Sequence, residues 1–293
     1  MSNNYSIQQL LKKAAFYLHL KGKTSPRSDA ELILSFLLKK ERSFFYAHSD
    51  VVLNNSLVED YWELIKRRGK GEPFAYITGQ KEFMGLPFVV EKGVLIPRPE
   101  TEHLVEYVIE WLQKNKPWQQ NDAGFNILDI GTGCGNIAIA LACHFPAARI
   151  IALDKDEHAL KVAAINGKRF GVMSRLEFVC GSLRDLLHKR DCSFHVVVSN
   201  PPYIPTELLA TLSPEVLSEP QHALDGGADG LDIYREIFRD IKECLLSPGI
   251  LALEIGKGQA FEVCALAGKN GPWRETIVLK DYAGIERVCC FIL

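Results

Sequence analysis

Through the first seventy residues, apolar side chains recur at helical spacing, as in Leu10, Leu11, Ala14 and Leu18 and again in Ala30, Ile33, Leu34, Leu37 and Leu38. Each set lines one face of a helix. Three segments open with capping-box spacing, Ser6 with Gln9, Ser28 with Glu31 and Ser56 with Glu59. Residues 1–72 are therefore expected to form a small helical bundle that recognises a partner, because no catalytic cluster falls within them. The pattern changes at Gly71-Glu72-Pro73. Through Pro97 the chain is rich in glycine, aromatic and β-branched residues, and residues 73–98 read as a linker carrying a short hairpin. Pro99 suits the first turn of the next helix, predicted from Glu102 to about Lys114.

From Phe125 onward, short apolar runs alternate with helical stretches. Strands are predicted at Phe125–Ile130, Arg149–Leu153, Leu176–Val179, His195–Ser199, Ile250–Ile255, Thr276–Leu279 and Val288–Ile292. Helices are predicted at Gly135–Cys143, Glu157–Phe170, Ile233–Leu245 and Gln259–Leu266. That alternation predicts an α/β doubly wound sheet with right-handed crossovers, within a third region spanning residues 99–293.

Composition narrows the class without naming a function. Apolar residues make up 47% and charged residues 24% of 293 positions, ordinary values for a globular protein. No apolar run approaches the roughly 20 residues of a membrane helix. The opening Met1-Ser2-Asn3-Asn4-Tyr5 lacks the layout of a secretion signal, so a cytoplasmic protein with no membrane partner is expected. The eight cysteines include no C-x-x-C pair and read as reduced, apolar side chains, and Cys143-His144 places adjacent residues on different helix faces. Net charge is −2; residues 1–75 hold twelve Lys and Arg against eight Asp and Glu, the remainder twenty-two against twenty-eight. A chain whose main partner was a nucleic-acid backbone would be more basic.

Three stretches carry chemistry. Asn200-Pro201-Pro202-Tyr203 follows the apolar run Phe194-His195-Val196-Val197-Val198. Two prolines cannot donate to a sheet ladder, so the strand stops there in a stiff turn with an amide at its carboxyl end. The Asn200 side chain and the Pro201 carbonyl supply two acceptors for a planar NH2 group, with the Tyr203 ring beside them. Second, the first strand enters Gly131-Thr132-Gly133-Cys134-Gly135, a turn that lets the backbone approach a ligand at a helix N-terminus. A plain strand-to-helix turn is the competing reading. Third, Asp154 closes the second strand, where a carboxylate can accept both hydroxyls of a ribose. Loop and carboxylate together indicate an adenosine-containing cofactor. The G-x-G-x-G spacing, without the glycine of G-x-G-x-x-G, favours S-adenosylmethionine over a dinucleotide.

Taken with the amide turn, this pattern resembles the amino-group methyltransferases. The resemblance extends through Gly71-Glu72-Pro73 with Thr78-Gly79, Leu95-Ile96-Pro97-Arg98-Pro99-Glu100-Thr101-Glu102, Glu219-Pro220, Ala223-Leu224-Asp225-Gly226-Gly227 and Asp229-Gly230-Leu231. Over nearly its whole length the chain looks like the PrmC/HemK family of release factor N5-glutamine methyltransferases. That resemblance implies a Rossmann-like class I S-adenosylmethionine-dependent methyltransferase fold, with a seven-stranded, mostly parallel sheet behind a small N-terminal helical bundle. It further implies a monomer that methylates the glutamine of the Gly-Gly-Gln loop of peptide chain release factors, releasing S-adenosyl-L-homocysteine, with no direct nucleic-acid substrate.

Carried onto this sequence, the resemblance has Gly131, Thr132, Gly133, Cys134 and Gly135 wrap the methionine portion of the cofactor while Asp154 holds its ribose. Asn200, at the junction of cofactor and substrate, orients the target glutamine with Pro201, Pro202 and Tyr203. One departure stands out. Where the family has an acidic residue followed by an aromatic near the adenine, this chain has Ser182-Leu183, a weaker hydrogen-bonding partner and a side chain that packs without ring stacking.

The chief rival is a DNA adenine-N6 methyltransferase, which would use the same turn on a flipped base. A NAD-dependent oxidoreductase leaves the amide turn unexplained. Among other residues, Arg98 and Glu100 read equally as a cap on the pocket or as a mutual pair. Glu254, His195 and His222 read as structural.

Overall fold

A computed structural model describes residues 5–116, 124–189 and 191–293 of the chain. Contacts divide it into two units, one running to Gly79 and taking in Ser213–Ser218, the other holding Gln80–Leu212 and Glu219–Leu293.

The first unit contains α1 (Ile7–Leu20), α2 (Pro26–Leu38), α3 (Arg42–Ala47), α4 (Asn55–Gly69) and α5 (Phe74–Thr78). Its core is the set of faces seen in the sequence: Leu10, Leu11, Ala14 and Leu18 of α1 pack with Ala30, Ile33 and Leu34 of α2 and with Val58, Tyr61 and Ile65 of α4. The Ser6 capping box forms in both directions, with Gln9 N–H donating to Ser6 Oγ at 3.3 Å and Ser6 N–H to Gln9 Oε1 at 3.1 Å. The other two predicted starts are displaced. Helix α2 begins at Pro26, whose fixed φ suits a first turn, so Ser28 lies inside it. Helix α4 is capped by Asn54, whose Oδ1 accepts from Leu57 N–H at 2.8 Å, so Ser56 also lies inside. Glu31 is instead the buried acceptor for Arg27, Arg42 and Tyr46. The short helix α3 falls within the stretch expected to be helical, whereas α5 falls in the stretch expected to be a linker. The Ser213–Ser218 segment is held by Glu215, which pairs with Arg68 at 2.9 Å and Lys23 at 3.4 Å.

The second unit opens with the expected hairpin, β1 (Gln80–Phe83) and β2 (Leu86–Val89), then α6 (Thr101–Asn115). Elements then alternate: β3 (Phe125–Ile130), α7 (Asn136–His144), β4 (Ala148–Asp154), α8 (Glu157–Arg169), β5 (Leu176–Cys180), α9 (Leu183–Lys189), β6 (Phe194–Ser199). They continue through α10 (Asp232–Asp240), β7 (Leu245–Glu254), α11 (Ala260–Asn270), β8 (Glu275–Lys280) and β9 (Glu286–Ile292). The sheet has seven strands among the described residues, in the order β5-β4-β3-β6-β7-β9-β8. It is parallel from β5 to β7, and β9 runs antiparallel to both β7 and β8. The fold is thus the Rossmann-like, mostly parallel seven-stranded sheet that was expected. The helix predicted over Ile233–Leu245 is shorter than its apolar periodicity implied: α10 ends at Asp240, a 3-10 turn follows over Ile241–Glu243, and Leu245 already belongs to β7. A further helix, α9, occupies a stretch in which none was predicted.

One buried side chain ties the hairpin to the sheet. Asn166 of α8 is 0% exposed. Its Oδ1 accepts from Val89 N–H at 2.7 Å, and its Nδ2 donates to Val89 O at 3.0 Å and to Cys134 O at 2.9 Å. Buried polar groups left without partners are costly. Asn166→Ala is expected to destabilise the protein by about 2–4 kcal/mol, since three backbone groups lose their partner at once. Urea unfolding checks this, and a change below about 0.5 kcal/mol would mean that water meets those groups instead.

Candidate functional site

Strands β3 and β6 are neighbours at the centre of the sheet, with Ile130 paired to Ser199. The Ser199 hydroxyl donates to the Ile130 carbonyl at 2.7 Å, locking the two strand ends at one level. From that level β3 feeds the crossovers toward β4 and β5, whereas β6 feeds those toward β7. Where strand order reverses in this way, adjacent loops part and a crevice opens at the carboxyl edge. A cavity of about 1130 Å³ lies there, lined among others by Gly131, Gly133, Asp154, Ser182 and Asn200.

The glycine loop is shaped by its backbone. Gly131, Gly133 and Gly135 have φ of 72°, 56° and 83°, a region in which side-chain-bearing residues are strained. The loop bonds to the neighbouring strand: Gly131 N–H donates to Leu153 O at 2.8 Å, and Gly133 N–H to Asp154 Oδ2 at 2.8 Å. Asp156 N–H donates to the other Asp154 oxygen at 2.9 Å. Each carboxylate oxygen therefore keeps acceptor capacity on the cavity side, as a ribose diol requires. Burial raises the Asp154 pKa above its ordinary value.

Behind the loop, Asp129 is fully buried. Its Oδ2 accepts from Thr132 Oγ1 at 2.7 Å and Ala138 N–H at 3.2 Å, while its Oδ1 has no partner among the described residues. Burial pushes its pKa up to about 7. Asp129 does not itself line the cavity; the acidic groups that face a ligand there include Asp154, whose spare acceptor capacity fits the ribose of a cationic adenosine compound such as S-adenosylmethionine.

Ser182 and Leu183 both line the cavity. Ser182 opens α9 as half of a capping box: its Oγ donates to Asp185 Oδ2 at 2.6 Å, and Asp185 N–H donates back to Ser182 Oγ at 3.2 Å. With its proton committed to Asp185, Ser182 faces the cavity as an acceptor only. Leu183 is buried in the apolar cluster that includes Leu153, Leu186 and Ile237.

At the other wall, Asn200 and Pro202 line the cavity, Pro201 is buried, and Tyr203 packs its half-buried ring on the apolar cluster. Burial raises the Tyr203 phenol to about 12, so it stays protonated at neutral pH. A second loop cradles the turn: Ile204 N–H donates to Leu224 O at 3.0 Å and Gly226 N–H to Ile204 O at 2.8 Å. The approach is so close that a Cβ on Gly226 would lie 2.8 Å from both Pro202 O and Tyr203 Cα.

The Asn200 amide is also tied from the inside. Its Nδ2 donates to Thr101 Oγ1 at 3.0 Å, and Thr101 Oγ1 donates to Glu254 Oε2 at 2.5 Å. Glu254 is 1% exposed, and burial pushes its pKa up to about 7. Thr101 was not singled out from sequence, and its only signal was its place in the Arg98-Pro99-Glu100-Thr101 stretch. Arg98 pairs with Glu219 rather than Glu100: its Nη2 donates to Glu219 Oε1 at 2.5 Å, while Ile96 N–H donates to Glu219 Oε2 at 3.0 Å. His222 faces Asp156 at 3.5 Å on the cavity rim, and His195 Nδ1 meets Asn126 N–H at 3.2 Å.

Similarity to known proteins follows the same division. The PrmC N-terminal domain matches residues 9–79, and a methyltransferase domain matches residues 127–217. A release factor glutamine methyltransferase of Moorella thermoacetica is 39% identical over 287 residues, covering 98% of each chain. One of Coxiella burnetii is 40% identical, covering 97% of each chain. Among solved structures, the hMettl16 catalytic domain aligns with a TM-score of 0.55 at 15% identity, over 88% of this chain and 92% of that one. A methyltransferase from Pyrococcus furiosus aligns at 0.51 and 19% identity, over 72% and 91%. At such identity these two bear on the fold alone.

The cradle at Gly226 makes a contrast of two substitutions. Gly226→Ala is expected to cost about 1–3 kcal/mol, because its Cβ meets backbone that cannot step aside. Gly268→Ala, in α11 with nothing within 4 Å of the added Cβ, is expected to gain about 0.5–1 kcal/mol. Chemical denaturation of both checks the pair, and equal effects would disprove the close approach.

Proposed function

The chain belongs to the release factor glutamine methyltransferases, and from that premise we propose that it methylates the side-chain amide nitrogen of the glutamine in the Gly-Gly-Gln motif of a peptide chain release factor. The observation that supports this reading best is the convergence of the glycine loop and the Asn200 turn on one cavity, at the paired ends of β3 and β6. When bound, S-adenosyl-L-methionine supplies an electrophilic methyl group and leaves as S-adenosyl-L-homocysteine. In this reading Gly131, Thr132, Gly133, Cys134 and Gly135 hold its methionine portion and Asp154 its ribose. Ser182 accepts from its adenine amine, and Leu183 packs beside the ring.

The residues around the substrate address a specific difficulty. A carboxamide nitrogen is a poor nucleophile because its lone pair is delocalised into the carbonyl. Asn200 Oδ1 and the Pro201 carbonyl hold the two N–H bonds of the glutamine and strengthen as positive charge develops on nitrogen. They also aim that nitrogen, a gain from orientation. Pro202 keeps the turn stiff, and the face of Tyr203 stabilises the developing cation. The methylated amide then loses its proton to water, so no strong base is needed.

We assign substrate docking to the helical unit. Its α1 exposes Phe16 by 63% and Leu20 by 67%, one turn apart on one face. Among the described residues no helix is long and apolar enough to cross a membrane. The mild net charge of −2 favours a protein over a nucleic-acid substrate, and the enzyme is taken to act as a monomer in the cytoplasm.

Purified protein incubated with tritiated S-adenosylmethionine is expected to label release factor and leave duplex DNA unlabelled; the reverse result would favour the adenine-N6 alternative. Asn200→Ala is expected to lower kcat by about a hundredfold or more while calorimetry finds cofactor binding nearly unchanged. Undiminished turnover would remove the proposed role of the turn. Replacing Phe16 and Leu20 together by Asp is expected to raise KM for release factor about tenfold, with cofactor affinity unmoved, because only docking area is lost. An unchanged KM would move the docking surface elsewhere.

A further inference from the structure

An asparagine side chain has two ends of nearly the same shape. One offers an acceptor and the other two donors, and the terminal torsion that exchanges them is broad and roughly two-fold. Packing therefore selects poorly between the two orientations of Asn200, whereas the proposed chemistry tolerates only one. Turned the wrong way, Asn200 would present NH2 to the NH2 of the substrate. Something other than shape has to choose.

The choice is made by the chain of bonds behind the turn. Thr101 sits in the first turn of α6, is 1% exposed, and has one hydroxyl proton. That proton goes to Glu254 Oε2 at 2.5 Å. Toward Asn200 the same oxygen can then only accept, and it accepts from Asn200 Nδ2 at 3.0 Å. In its ionised form Glu254 has no proton of its own to give, and the polarity of the chain then runs one way. The last residue of β7 is Glu254, whose backbone carbonyl accepts from the buried Tyr234 hydroxyl of α10 at 2.8 Å. The acceptor end of the relay is thus anchored in the core, and its donor end meets the cavity.

We propose that Thr101 and Glu254 are positioning residues whose hydrogen-bond polarity turns the Asn200 carbonyl oxygen toward the substrate amide. The assignment rests on the reading of Asn200 given above. Neither residue touches the reacting atoms in this scheme, and both act by removing the wrong orientation of one amide. The two lie 153 positions apart in sequence and meet only where α6 packs by the end of β7.

Thr101→Val keeps the shape and loses the hydroxyl. It is expected to lower kcat about 10- to 100-fold, with KM for release factor and Kd for S-adenosylmethionine within about twofold, the signature of an interaction that matters after binding. Thr101→Ser, which restores a hydroxyl, should recover kcat to within about threefold of wild type. Added to Asn200→Ala, Thr101→Val should cost nothing further, because both remove one contact. If Asn200→Ala alone retains full turnover, the reading of the turn fails and takes this inference with it. If Asn200→Ala is inactive while Thr101→Val keeps wild-type kcat, this inference alone is overturned. Equal losses in the Val and Ser variants, or additive losses in the double variant, overturn it as well. Should Thr101→Val fold poorly, Glu254→Met carries the test. It removes the acceptor at similar volume and frees the Thr101 proton to turn toward Asn200. A fall in kcat with cofactor affinity kept supports the proposal, and an unchanged kcat overturns it.

Discussion

The pairing of β3 with β6 is the constraint on which the site depends. These strands run parallel and side by side, yet their chains leave for opposite halves of the sheet, and a cavity opens at their carboxyl ends. The bond from Ser199 to the Ile130 carbonyl holds their ends level. As a result, the last residue of one strand introduces the glycine loop, whose N–H groups fasten it to Leu153 and Asp154, and the last residue of the other introduces the stiff Asn200 turn. Both border one cavity. A one-residue slip in this register would turn Ser199 away from that bond and carry the Asn200 turn with it.

Around that constraint the protein uses backbone groups where a looser design would use side chains. Asp154 is held by two N–H groups, one from the glycine loop and one from its own turn. The amide turn is held by Ile204 and Gly226 through main-chain bonds. Backbone partners lose little freedom on binding, so both walls are set before any ligand arrives. The side chains that do participate, Thr101, Glu254, Glu219 and Asn166, are buried, and each joins segments far apart in the chain.

Much of this was legible in the residues themselves. The five inner strands were marked by short apolar runs bounded by turn residues, because strands buried on both faces have little polar side to blur them, and the part-exposed edge strands β5 and β8 were marked by β-branched and aromatic residues. The glycine loop, Asp154 and the amide turn stood out because each solves a local problem with residues few other problems require. Helix starts were less legible. Ser28 and Ser56 carry the right spacing, but Pro26 and Asn54 lie closer to where the chain turns, and a cap is decided by the backbone rather than by spacing. Leu245 fitted a helical period equally well as a strand, since an apolar residue near a boundary serves either. The capping role of Ser182 was hidden because α9 is only 7 residues long. The relay from Asn200 to Glu254 was illegible in principle, as its members adjoin only after the sheet has formed.

Asn166 has a wider meaning than its three bonds suggest. It fastens the hairpin strand β2 to the carbonyl of Cys134, inside the glycine loop. The hairpin precedes the whole alternating α/β pattern, so by sequence it looks like a dispensable approach to the catalytic fold. In the folded chain it is part of the scaffold of the loop that lines the cavity. Anyone seeking the smallest autonomous catalytic fragment of this protein would therefore cut before Gln80, not at the first helix of the α/β pattern. The seam that composition draws and the seam along which the molecule can be divided are different places.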